Sequence, residues 1–125
     1  MASAQAQEGQ GQQRAQEAAA QLQRGNVEQA IQMLTEALGD RTMANDRRAL
    51  VHNDRGIAQW RLGNTRAAID DFNRAIQLYP EYAVTYNNRG NVLLALNQPR
   101  EAVKDFDRAL VLAPSYAAAL TNRAT

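Results

Sequence analysis

The sequence predicts an all-α fold in which helical hairpins stack into an α-solenoid, and three observations predict it. Residues 83–116 repeat the pattern of residues 49–82 in the same order. Asn53 pairs with Asn87, Arg55 with Arg89, Gly56 with Gly90, Asp71 with Asp105, Phe72 with Phe106 and Pro80 with Pro114, each 34 positions apart. A period of this size marks supersecondary units that bury their apolar faces on one another. Small residues recur at helical spacing within each block, Gly56 or Gly90 on one stretch and Ala68 with Ala75, or Ala102 with Ala109, on the next. They let two helix backbones approach closely while Phe72 or Phe106 fills the remaining gap. Pro80 and Pro114 close the blocks, since proline cannot continue a helix.

Residues 1–10, MASAQAQEGQ, hold nothing apolar enough to anchor them and are expected to be a disordered Ala/Gln-rich tail. They read either as a plain polar tail or, from Ala2, Ser3 and Ala4, as the remnant of a secretory cleavage region. Residues 11–48 carry a degenerate first repeat. Ala18, Gly25, Ala30, Leu34 and Ala37 take the places of Gly56, Gly63, Ala68, Phe72 and Ala75, but 38 positions earlier. The four extra residues fall within 39–48. They amount to about one helical turn, spent on a longer helix or a larger loop. Thr42, Asn45 or Asp46 could cap the helix that follows. The first helix has only Ala15, Ala18, Ala19 and Leu22 to bury, as suits an atypical terminal repeat.

In the second repeat, 49–82, Gly63 suits the left-handed residue that ends a helix, and Asn64 can cap the next one. In the third, 83–116, Asn97 suits the left-handed position and Pro99 the first turn of the second helix. Residues 117–125 read as the start of a fourth repeat or as a capping helix. Leu120, Asn122, Arg123 and Ala124 follow Tyr86, Asn88, Arg89 and Gly90 by 34 positions.

The pattern closely resembles the tetratricopeptide repeat. The matching residues are Tyr86, Gly90, Leu93, Ala102, Phe106, Ala109 and Pro114 in one block, and Gly56, Ala68, Phe72, Ala75 and Pro80 in the other. His52 stands where the family usually has a large aromatic. The resemblance implies a right-handed superhelix whose first helices line a concave face. Carried over residue by residue, that face includes Leu50, Asn53, Asp54, Ile57, Trp60 and Arg61, then Val84, Asn87, Asn88, Asn91, Leu94 and Ala95, then Ala118, Thr121 and Asn122. An amide offers both donor and acceptor, so asparagines at repeat spacing can pair with the backbone of an extended peptide. Trp60, with Ile57 and Leu94, adds apolar contact of the kind found at binding hot spots.

The two-carboxylate clamp of chaperone-tail binders within this family is absent. Asn88 matches it, but Asn53 and Ile57 stand where a clamp has lysine and asparagine, and Ala118 and Asn122 where it has lysine and arginine. Asn88 and Asn122, with Asp54 in the same column, look more like the asparagine ladder in the repeat superhelix of a sugar-transferring enzyme, a likeness of one column that does not imply the enzyme.

Composition narrows the function classes. The 125 residues are 45% hydrophobic and 22% charged, ordinary for a soluble chain. A formal net charge of +1, without a basic cluster interleaved with aromatics, argues against a nucleic-acid partner. No apolar run is long enough for membrane insertion. The only histidine, His52, falls in the packing column of Tyr86 and Leu120. Asp70 and Asp71 are adjacent and so point roughly 100° apart on a helix, poor geometry for a shared metal. The columns of Arg55, Arg89 and Arg123 and of Asp71 and Asp105 suggest structural ion pairs.

These readings converge on a non-catalytic scaffold that needs no cofactor or metal and binds a peptide or partner protein in its groove. The alternative is a self-assembling module whose unfinished ends stack head to tail, giving a homo-oligomer. The expected compartment is the cytoplasm or, if the tail is a processed remnant, a bacterial periplasm.

Overall fold

The computed structural model describes residues 9–115, so the expectations for residues 1–8 of the tail and for the fourth unit lie outside the described residues. Six helices form among the described residues: α1 (Gly11–Gln23), α2 (Val27–Ala37), α3 (Asn45–Arg61), α4 (Thr65–Leu78), α5 (Ala83–Ala95) and α6 (Pro99–Leu112). The turns within hairpins are built alike. Gly25, Gly63 and Asn97 take positive φ angles of 86°, 82° and 60°. The N–H of the next residue then reaches back to the last turn of the helix, Asn26 to Gln21 O, Asn64 to Gln59 O and Gln98 to Leu93 O, each at 2.9 Å. This is the Schellman closure, which satisfies carbonyls that a helix end leaves unpaired. Asn64 occupies the cap position of α4 but makes no side-chain cap bond. Its amide instead donates to Gln59 Oε1 at 2.8 Å, as Asn26 does to Gln21 Oε1 at 2.7 Å.

Each pair α1/α2, α3/α4 and α5/α6 packs as an antiparallel hairpin, and the hairpins stack in chain order. This is an all-α helical-repeat solenoid. Phe72 and Phe106 fill the hairpin interiors at 1% and 0% exposure. A Cβ on Gly56 would stand 2.5 Å from the Phe72 ring, so hydrogen at that position is what admits the aromatic. Ion pairs join the helices of the second and third units as the repeated columns suggest. Arg55 grips Asp71 through Nε and Nη2, and Arg89 grips Asp105 in the same two-pronged way. The first helices approach one another, α1 with α3 and α3 with α5, more closely than the second helices do. The layer of α1, α3 and α5 is therefore the inner, concave side.

The four-residue insertion is divided between helix and loop. α3 starts at Asn45, a full turn before the position matching the start of α5, and the α2–α3 connection of residues 38–44 exceeds the 79–82 connection, while α2 is shorter than α4. None of the expected caps is used. The cap position of α3 is Ala44, without a side-chain bond, and Thr42 turns its hydroxyl to Asp40. Asp40 is the residue that organises this junction. It is buried at 1% exposure and its Oδ2 accepts from Gly9 N–H and Gly11 N–H, both at 2.9 Å, capping the start of α1 from 29 positions away. Gly9 and Gln10 thus depart from the expected loose tail. Gly11 must be glycine, since its Cβ would lie 2.7 Å from Asp40 Cβ and 2.9 Å from the Ala37 carbonyl oxygen.

The Thr42 hydroxyl holds the Asp40 carboxyl well below the usual carboxylate range, against the opposing effect of desolvation, and the backbone N–H groups of Gly11, Thr42 and Gly9 add to it. A lowered folded-state value means stability that is full above the unfolded value, about 4, and lost as pH falls toward the folded one. Acid melting curves should therefore show a loss of Tm below about pH 4 that shrinks in Asp40→Asn. An identical acid profile in the two proteins would show that the junction contributes nothing to stability.

Candidate functional site

The inner layer carries a polar row that crosses from α5 to α3. Asn88 Nδ2 donates to Asn53 Oδ1 at 3.0 Å, and Asp54 is the next residue along α3. The repeat places these groups together: Asn53 and Asn88 are 35 positions apart, one period plus one residue. Asn53 and Asn87 are themselves buried, at 2% and 5% exposure, because they fall on the seams where first helices pack. Both amides, expected at the binding face, are enclosed in the free chain as buried polar groups. Asn88, Asn91 and Leu94 are half-buried and remain at the face, whereas Asn122, Ala118 and Thr121 lie outside the described residues.

The apolar and basic candidates are also partly spent inside. Trp60 and Ile57 are half-buried and pack against the cluster of Ala68, Phe72 and Val92. Ile57 also touches the cluster of Leu22, Ala30 and Ala58. Both side chains are thus held partly within the packed interior. Arg61 is exposed along its length, but its Nη1 donates to the Leu22 carbonyl at 3.1 Å, stapling the end of α1 to α3. His52 is a packing residue whose Nδ1 lies 3.0 Å from Asp71 Oδ1, whereas its counterpart Tyr86 reaches the Pro80 carbonyl at 2.8 Å. Burial pushes the Asp71 carboxyl up, but hydrogen bonds from His52 and Arg55 outweigh it and leave it below its ordinary value.

The concave side also contains a cavity of about 150 Å³ between α1 and α3. Gln12, Ala15, Gln16 and Ala19 form one wall, and Met43, Arg47, Leu50, Val51 and Asp54 the other. Of these, the carried-over face included only Leu50 and Asp54. Gln12, Ala15, Gln16 and Ala19 stand 38 positions before Leu50, Asn53, Asp54 and Ile57, so the offset of the degenerate repeat was the signal that could have found them. Arg47 sits in the extra turn of α3. Burial pushes the Asp54 carboxyl above its ordinary value, opposed by the hydrogen bond from Asn53. Among the described residues no group of three or more His, Cys, Asp or Glu side chains could hold a metal, and no helix is long and apolar enough to cross a membrane.

The sequence model of the tetratricopeptide repeat matches residues 49–82 and 83–116. A comparison with curated proteins finds no match. Among solved structures, the first such domain of Spaghetti (RPAP3), bound to an HSP90 peptide SRMEEVD, is similar at 24% identity and a TM-score of 0.84, over 92% of this chain and 88% of that one. The second such domain of human RPAP3, in complex with an HSP70 peptide SGPTIEEVD, is similar at 25% identity and a TM-score of 0.78, over 89% of each chain. MamA is similar at 22% identity and a TM-score of 0.78, over 88% of this chain and 62% of that one.

Proposed function

Because the chain belongs to the tetratricopeptide repeat family, we propose that it is a non-catalytic protein-interaction scaffold holding an extended segment of a partner protein along α1, α3 and α5. The observation that carries this reading is the Asn88–Asn53 hydrogen bond from α5 to α3 on the concave layer, beside the α1/α3 cavity that Asp54 lines. Buried Asn53 holds Asn88 in place, so the outer amide is pre-oriented and loses less freedom when a ligand binds. Asn91, about one turn further along α5, extends the row. The peptide complexes formed by both RPAP3 domains support a peptide as the ligand class. The clamp lysines of such binders are missing here, so the terminal carboxylate of a chaperone tail is not the expected determinant.

The test is a random linear peptide library panned against the wild type and an Asn88→Ala, Asn91→Ala double variant, with light scattering on both proteins across a wide concentration range. The expected result is a monomer that enriches peptides. Removing two hydrogen-bonding amides at about 0.5–1.5 kcal/mol each should weaken the enriched peptides roughly tenfold to a hundredfold. Unchanged affinity in the double variant would move the site off this face. A protein that captures no peptide and assembles with rising concentration would instead support head-to-tail stacking.

A further inference from the structure

The α1/α3 cavity pairs apolar walls with one carboxylate. Ala15, Ala19, Leu50 and Val51 line it with hydrocarbon, and Asp54 contributes a half-buried acid. Among the described residues no ion pair reaches Asp54, whereas Asp71 and Asp105 are both gripped by arginines. Removing a carboxylate from water without a counter-charge is unfavourable, and a folded scaffold tolerates it where a ligand can supply that charge. Arg47 lines the same cavity but stands seven residues before Asp54 on α3, roughly 10 Å along the helix axis, and makes no ion pair with it.

We propose that this cavity seats a lysine or arginine side chain of the bound segment, its methylene stem against Ala15, Ala19, Leu50 and Val51 and its cation at the Asp54 carboxylate. Long basic side chains have this two-part character, an apolar stem and a charged head, and the cavity offers the complementary surface to each part. Asp54 follows Asn53 on α3, and Asn53 accepts from Asn88, so the basic residue would be read beside the peptide backbone lying along Asn88. The charge selection is thus opposite to that of an acidic tail. The inference rests on the groove-binding reading above and specifies which residue the groove selects.

The experiment pans the same random linear library against the full chain as wild type, Asp54→Asn and Arg47→Gln. The wild type should enrich peptides with Lys or Arg at one fixed position, and Asp54→Asn should lose that preference while still enriching peptides. For a synthetic peptide carrying the wild-type consensus, affinity should fall roughly tenfold to a hundredfold in Asp54→Asn, and equally when the basic residue is replaced by norleucine, since hydrogen bonds to charged groups contribute more than neutral ones. The two losses should not add, because they remove the same contact. Arg47→Gln, which removes a like charge from the cavity, should tighten the same peptide. Thermal melting of Asp54→Asn should match or exceed that of wild type, which separates lost recognition from lost folding. A basic preference that survives Asp54→Asn, or wild-type peptides without one, would overturn the inference while leaving groove binding intact. Failure to enrich any peptide would overturn both.

Discussion

Replacing Arg89 with leucine is expected to destabilise the protein by at most about 3–5 kcal/mol, the range for breaking one side of a buried ion pair, reduced because the Arg89 side chain is 26% exposed to solvent. Arg89 Nε and Nη2 each lie 2.8 Å from a separate oxygen of Asp105, and that carboxylate is only 7% exposed. Leucine would leave the acid enclosed with no counter-charge. The same arginine reaches Asn73 Oδ1 through Nη1 at 2.9 Å, which ties α5 to α4 of the preceding unit, and its guanidinium lies 5.8 Å from the centre of the Tyr86 ring. The variant therefore loosens contact within a unit and between units together. Domains of this kind have about 5–15 kcal/mol of total stability, so the loss is a large fraction of the whole. Urea denaturation should show a lower midpoint with the slope preserved. Adding Asp105→Leu to Arg89→Leu should recover much of the loss, because the orphaned charge rather than the missing contact dominates it. A single variant as stable as wild type would return the arginine column to the status of surface charges. Peptide enrichment at permissive temperature should persist in the variant, since the Arg89 side chain is directed to Asp105 on α6 and Asn73 on α4 rather than to the Asn88–Asn53 pair.

The period and composition made the hairpins legible because the packing signals are local and repeated. Gly56 beneath Phe72 and Gly90 beneath Phe106, the left-handed Gly63 and Asn97, and the arginine–aspartate columns each act within one unit. What the sequence concealed acts between units or turns on small rotations about a helix axis. Asp40 caps α1 from 29 positions away, whereas a search for caps beside the helix they serve finds Thr42, Asn45 or Asp46 for α3 and nothing for α1. Asn53 and Asp54 differ by one residue, roughly 100° around the helix, and that step separates an amide sealed in the seam from a carboxylate lining the cavity. Asn87 and Asn88 differ in the same way. Arg61 falls on the face that the resemblance carries over, while its partner, a main-chain carbonyl of another unit, carries no sequence signal at all.

Gly90→Leu sets two of these effects against each other. Helix propensity favours the substitution, since glycine in a helix interior is less favourable than other residues by up to about 1 kcal/mol. Packing opposes it. A Cβ at position 90 would lie 2.5 Å from Phe106 Cε1 and 2.9 Å from both Cδ1 and Cζ, so it meets the side of the ring rather than one movable atom. Phe106 is at 0% exposure, and Ala102 and Ala109 beside it on α6 are at 0% as well. The ring has nowhere to retreat without parting α5 from α6. Overpacking a filled core costs about 1–3 kcal/mol and more when the backbone must shift, so the steric effect wins and Tm should fall by several degrees or more. Gly90→Ala is the sharper form of the test, because propensity alone predicts a more stable protein and the ring contact predicts a less stable one. If the contact is the cause, Phe106→Leu should be less harmful in the Gly90→Ala background than in wild type, the smaller side chain relieving the clash that alanine creates. Additive effects in that cycle would show that position 90 and the ring do not meet.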